Sequence, residues 1–345
     1  MKVLVTGNLG YIGSVLSPML VERGHEVTGL DADLYNGCTF GDSMPEIQTI
    51  QKDIRDVMMP DLRGFDAIIH LAALSNDPLG DLDPKLTFDI NYKASVRLAA
   101  LAKQAGISRY IFSSSCSMYG ASNGTLLDES APFNPVTPYG KSKVMVEQDV
   151  KNLADADFSP TFLRNATVYG LSPRLRFDLV VNNLVAWAYT TGKIMMKSDG
   201  TPWRPLVHIK DVCKAFIAIL ESPRELVHKK AFNVGLTRDN IQIRDIAMIV
   251  ADVVPGCEVT FSQDASPDTR CYKVNCDLLP SMIKSFKPNG TIKQAAAELY
   301  NAYKEHGVTL DEFEGPRYQR IAHIKKMLEE GVLGHNLKYQ TVSQL

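Results

Sequence analysis

The chain has 345 residues, too long for one small domain; at roughly 150 residues per domain it holds two, or one large α/β unit with an appendage. Apolar residues make up 45% and charged residues 22%, which excludes an intrinsically disordered chain. The formal net charge of −2 leaves no basic footprint for nucleic acid, and no apolar run approaches the roughly 18 residues of a membrane span.

Residues 2–6 read as a buried strand that starts almost at Met1, with no signal peptide before it, so the expectation is a cytoplasmic protein. Residues 11–23 read as a helix ended by Gly24. Strands follow at 27–30, 47–51, 66–71 and 109–113, with a long helix over 85–105 before the last of them. A helix over 139–153 leads to a sixth strand at 161–164. Such alternation demands a mostly parallel sheet covered on both faces, and right-handed crossovers make it doubly wound. The rhythm breaks at Leu171-Ser172-Pro173. A helix over 178–190, a loop at 202–205, a helix over 211–220 and a strand at 231–234 come next. Amphipathic helices over 243–253, 291–305 and 318–330 close the series. The expected fold is α/β: a Rossmann doubly wound parallel sheet with a smaller, mostly helical substrate-binding domain. Residues 1–170 form the first part, with 205–238 returning to it; 171–204 and 239–345 form the second.

Thr6-Gly7-Asn8-Leu9-Gly10-Tyr11-Ile12-Gly13 joins the first strand to the first helix. Glycines at 7, 10 and 13 permit a tight turn, close approach of a pyrophosphate and close helix–strand packing. The helix amino end offers N–H groups and a positive dipole to phosphates. Asp31, at the end of the second strand, is placed to accept hydrogen bonds from adenosine ribose hydroxyls and to repel a 2′-phosphate, which selects NAD over NADP. Tyr139 and Lys143 stand at i and i+4 and share one helix face. A phenol is a poor base near neutral pH, and a neighbouring ammonium stabilises its phenolate. Tyr139 then suits proton transfer at a sugar hydroxyl, with a serine of Ser113-Ser114-Ser115 at a strand's carboxyl end bonding the same oxygen.

Thr6–Gly13, Asp31, Phe112-Ser113-Ser114-Ser115 through Tyr119-Gly120, and Tyr139 with Lys143 together resemble an extended short-chain dehydrogenase/reductase. Within that superfamily the chain resembles the NAD-dependent nucleotide-sugar epimerase/dehydratase family, of the UDP-glucose 4-epimerase type. The resemblance implies Tyr139 as acid/base, Lys143 as its partner and a nicotinamide-ribose ligand, and Ser115 as the third member. It implies NAD contacts from Gly7, Gly10, Tyr11, Ile12, Gly13 and Asp31, from Asp53 and Ile54 beside the adenine, and from Leu71, Ala72 and Ala73 beside the phosphates. Asn91 matches the central asparagine of the long fourth helix.

The family's dehydratases carry an Asp-Glu pair after the catalytic hydroxyl, where this chain has Cys116-Ser117, so 4,6-dehydration is disfavoured. Cys116 stands as a candidate shifted acid/base or a small buried residue. Arg204 and Arg270 match the family's diphosphate arginines, and Asn183 lies in an Asn-Asn-Leu that resembles the start of the nucleotide-binding helix. Thr167 replaces the usual phosphate-holding asparagine, which leaves Thr167 and Asn165 as candidates for that task; Ser117 completes the expected substrate contacts. Arg174 and Arg176 are expected near the sugar–diphosphate end. The expected partner is a nucleotide-diphosphate sugar, with neither nucleic acid nor membrane. Seven scattered histidines, and six cysteines without a C-x-x-C pair, favour no metal site. The resemblance also implies a homodimer joined by a four-helix bundle. The leading expectation is a 4-epimerase. The alternatives are a one-way 4-dehydrogenase or 4-ketosugar reductase of deoxysugar or heptose type, and a catalytically silent NAD-binding protein on the same fold.

Overall fold

The computed structural model describes residues 1–75, 83–120, 124–196, 199–261 and 271–340. Seven strands form one wholly parallel sheet: β1 (Lys2–Thr6), β2 (Glu26–Asp31), β3 (Thr49–Gln51), β4 (Ala67–His70), β5 (Arg109–Ser115), β6 (Ser159–Asn165) and β7 (Ala231–Val234). Their order is β7-β6-β5-β4-β1-β2-β3. The direction of winding therefore reverses between β1 and β4, and a crevice opens beyond their carboxyl ends, where ligands bind in such sheets. Val3, Leu4 and Val5 of β1 are wholly buried, as are Ala67, Ile68 and Ile69 of β4. Unbroken apolar runs of this kind mark strands covered on both faces.

Gly13–Glu22 and Ile209–Glu221 cover one face, packing Leu16, Leu20 and Phe216 against Val3, Val5 and Ile69. Ser95–Gln104 and Pro138–Asn152 cover the other, with Leu98, Val146 and Val150 against Leu4, Ile68 and Tyr110. A separate core joins Val180–Thr191, Ile243–Val253 and Ile292–Glu305 through Val185, Ile246, Leu299 and Tyr303. The last helix, Arg320–Glu329, sends Ile324 and Met327 back into the sheet's core. It is followed by a hook in which Gly334 N donates to Lys338 O and Gln340 N to Val332 O. Lys338 pairs with Asp56 at 2.7 Å, and the Tyr339 hydroxyl donates to Asp33 O at 2.6 Å.

Two expectations for local structure are corrected. The expected loop at 202–205 is the start of a strand, Trp203–His208. Its first residues pair with Asn240–Gln242, and from Leu206 onward it pairs with Thr167–Tyr169. Pro205, which has no N–H to donate, sits where one partner gives way to the other. The helix expected over 85–105 is three pieces: Pro84–Phe88, a wider π-wound stretch Asp89–Ala94, and Ser95–Gln104. Such windings cluster at functional sites; this one brings Ile90 to the cavity described next.

Candidate active site

A cavity of about 610 Å³ opens at the crevice, within the usual range for a small-molecule site. One end is the turn between β1 and the first helix. Gly7 has φ +77°, and a Cβ there would lie 2.7 Å from Ala72 N. A Cβ on Gly13 would lie 2.2 Å from Gly7 O. The turn can therefore lie flat against the loop after β4 only as glycine, which leaves its outer side open to a pyrophosphate. No side chain caps the helix that follows, and no acidic residue stands in its first turn. Asp31 lines the same end, where its carboxylate accepts from Leu9 N at 3.0 Å and Asp33 N at 2.8 Å. Burial raises its pKa, against these two bonds. These features fit a dinucleotide.

Tyr11, Ile12, Asp53, Ile54, Leu71, Ala72 and Ala73 line this part too. Tyr11 is there by its ring, since its hydroxyl donates to Gly170 O. The Asp53 carboxylate is forked by Arg55 at 3.0 and 2.6 Å; burial acts to raise its pKa, but Arg55 outweighs burial and holds it low.

At the other end stand Ser115, Ser117, Tyr139 and Lys143. Thr137 caps the helix that carries Tyr139 and Lys143, and β5 ends at Ser115. Lys143 is buried, its Nζ donates to Ser113 O at 2.7 Å, and it lies 5.5 Å from the Tyr139 ring centre. Burial pushes its pKa down to about 7. Ser115 Oγ accepts from Ser117 N and donates to Ser117 Oγ, both at 3.1 Å. Cys116 turns away: its Sγ donates to Arg164 O at 3.1 Å, it is fully buried, and burial pushes its pKa well up. Of the two open readings of Cys116, the geometry is that of the small buried residue. Asn165, on β6 beside Ser115, lines the cavity; its Nδ2 donates to Ser113 Oγ at 3.0 Å, while its buried Oδ1 has no partner. Thr167 and Arg204 line the cavity as well.

Two expected residues, Asn91 and Asn183, stand apart from it. Asn91 is buried behind the wall and holds the loop after β4: its Oδ1 accepts from Leu74 N at 2.8 Å and its Nδ2 donates to Leu74 O at 3.0 Å. Asn183 donates to Phe177 O. Arg270 lies outside the described residues. Arg174, expected near the sugar, instead pairs with Asp33 at 2.9 Å in the loop after β2. Arg176 does reach the cavity, forked onto Asp178 at 3.0 and 2.6 Å. Sequence reasoning missed Tyr35, Ser75, Asp178, Arg320 and Leu337 among the lining residues. None belongs to a local motif, so no spacing signals them. Among the described residues no helix is long and apolar enough to cross a membrane, and no cluster of potential ligands could hold a metal ion.

Residues 3–235 match the model of the NAD dependent epimerase/dehydratase family. A UDP-glucose 4-epimerase from Lactobacillus helveticus is 31% identical over 274 residues, which are 73% of this chain and 82% of that protein. Among solved structures, a UDP-N-acetylglucosamine 4-epimerase from Methanobrevibacter ruminantium in complex with UDP-N-acetylmuramic acid superposes with a TM-score of 0.77 at 26% identity, covering 88% of this chain and 98% of that one. A dTDP-glucose 4,6-dehydratase from Streptomyces venezuelae shares the fold at 23% identity, with a TM-score of 0.76 over 88% of this chain and 97% of that one.

Proposed function

Since the chain belongs to the NAD dependent epimerase/dehydratase family and is an NAD-dependent enzyme, we propose that it is a nucleotide-sugar 4-epimerase. The observation that carries this reading is the company kept at the end of β5. Ser115, Tyr139 and Lys143 share one cavity with the glycine turn, and the residue after Ser115 is a buried thiol bonded to backbone rather than a carboxylic acid. Elimination of water needs a further acid/base group there; redox at one carbon does not.

NAD, held by the Gly7–Gly13 turn and Asp31, would supply a reversible hydride acceptor for sugar carbon 4. Tyr139 takes the proton of the 4-hydroxyl as the hydride leaves, and gives it back on return. Lys143, held against Ser113 O, sets positive charge beside the phenol and favours its phenolate. Ser115 donates to the same substrate oxygen. Arg204 and Arg270 grip the nucleotide diphosphate, with Ser117 and Thr167 as further substrate contacts, so that only the sugar turns over between the two transfers. Residues 1–170 with 205–238 serve the cofactor, and 171–204 with 239–345 serve the nucleotide sugar. Two copies associate through the helices over 84–104 and 138–152 in the cytoplasm.

The test is incubation with UDP-glucose, UDP-galactose and their N-acetylated forms without added NAD, with products resolved by NMR. Interconversion at carbon 4 with no net NADH is the expected result, and Tyr139→Phe lowers its rate at least ~100-fold while leaving NAD binding intact. No turnover without NAD, with NADH formed in step with a released 4-keto sugar once NAD is added, would overturn the epimerase in favour of a one-way dehydrogenase.

A further inference from the structure

The cavity wall built by Asp31, Asp33, Leu34 and Tyr35 is completed by two residues from far along the chain, Arg320 and Leu337. Both lie beyond the residues matched by the family model. Arg320 opens the last helix and is 4% exposed. Its guanidinium lies 3.7 Å from the Tyr35 ring centre, and one NH2 donates to Arg174 O at 3.2 Å. Among the described residues no carboxylate comes within 4.0 Å of it.

Two further arginines stand beside it. Arg174 and Arg176 are also buried. Arg176 is satisfied by Asp178 and the Ser75 hydroxyl. Among the described residues Arg174 makes one ion pair, to Asp33, and its buried Nε and NH1 have no partner. Three guanidinium groups thus meet three carboxylates at this wall, those of Asp31, Asp33 and Asp178, and among the described residues Arg320 is the one of the three cations that pairs with none of them. Burial lowers the pKa of Arg320, and Arg176 acts in the same direction, against the opposing influence of Tyr35 and Asp178. A buried cation with no carboxylate in contact is costly, and a cavity it lines is where an anion would relieve that cost.

We propose that Arg320 is a ligand of the cofactor's diphosphate, and that the chain's last helix is thereby part of the cofactor site. The proposal rests on the reading of the Gly7–Gly13 turn as a dinucleotide site. A guanidinium fork matches two phosphate oxygens. A diphosphate reaches this cavity from two sources, the cofactor and the nucleotide sugar. Position favours the cofactor: Arg320 stacks on Tyr35, four residues past Asp31, whereas Ser115, Thr167 and Arg204 lie on other strands.

The experiment is calorimetric titration of the full chain, Arg320→Met and Arg320→Lys with NAD, ADP-ribose, adenosine and UDP. Arg320→Met weakens NAD and ADP-ribose about tenfold or more, leaves adenosine and UDP unchanged, and Arg320→Lys recovers part of the loss. Unchanged ADP-ribose affinity in Arg320→Met overturns the proposal. So does a loss shared equally by adenosine, which would make Arg320 a structural prop, or a loss confined to UDP, which would assign it to the substrate. Wild-type protein that binds neither NAD nor ADP-ribose defeats the reading of the glycine turn itself, and this proposal with it.

Discussion

His70 is wholly buried, with its ring nitrogens 2.6 Å from Thr6 Oγ1 and 2.8 Å from Ser95 Oγ. Burial pushes its pKa down to about 3, and the charge of Lys143 adds to the effect. The unfolded chain takes up this proton near pH 6.5, the folded chain only near pH 3. The unfolded state therefore binds more protons between those values, and stability falls as pH drops through that window. The slope approaches about 1.4 kcal/mol per pH unit. Urea unfolding of His70→Gln at pH 7, 5 and 4 should show a shallower acid loss than the wild type; parallel curves would assign the loss to other groups. His70 also illustrates what single residues disclose in advance. A histidine inside an apolar run is legible as core, and Tyr139 with Lys143 is legible because four residues of helix place them together. Tyr35 with Arg320 is not legible, because only the closed fold brings them together.

At the scale of elements, strands with continuous apolar runs and helices with amphipathic spacing could be read in order. All seven strands of the main sheet lie where the pattern puts them, with ends shifted by a residue or two. The short pairings were not readable: Lys193–Met196 with Glu258–Phe261 depends on a neighbour supplied by distant chain. The π-wound stretch left no mark either, since a wider turn changes register without changing composition. Its function is visible only in contacts. Asn91 projects from it and satisfies both the N–H and the C=O of Leu74, in the loop that flanks the glycine turn. Asn91→Ala strands two backbone groups in the interior and should cost about 1–3 kcal/mol in urea unfolding. A variant as stable as the wild type would mean that the loop finds other partners.

The whole molecule offers a paired face for self-association. The Tyr92 hydroxyl donates to Asp149 at 2.6 Å, tying the π-wound stretch to Pro138–Asn152. Tyr92, Val96 and Leu101 are half-buried, and none of the exposed large apolar side chains among the described residues lies on these helices. The interface proposed on these helices would accordingly be rich in polar contact, and the expected sedimentation mass is twice 38.1 kDa at micromolar concentration. The monomer mass throughout that range would refute the dimer.

The hook that ties Lys338 to Asp56 and Tyr339 to Asp33 also sets a clock. A ribosome adding about 5–20 residues per second needs roughly 15–60 seconds to travel from Asp31 to Leu337. Even after the last strand of the sheet, Ala231–Val234, has been made, the glycine turn still lacks the wall that Arg320 and Leu337 supply. If Arg320 serves the cofactor as proposed, full-strength capture waits for the helix at Arg320–Glu329 to emerge, and a message truncated before that helix would yield a chain with its sheet in place and its cofactor site unfinished.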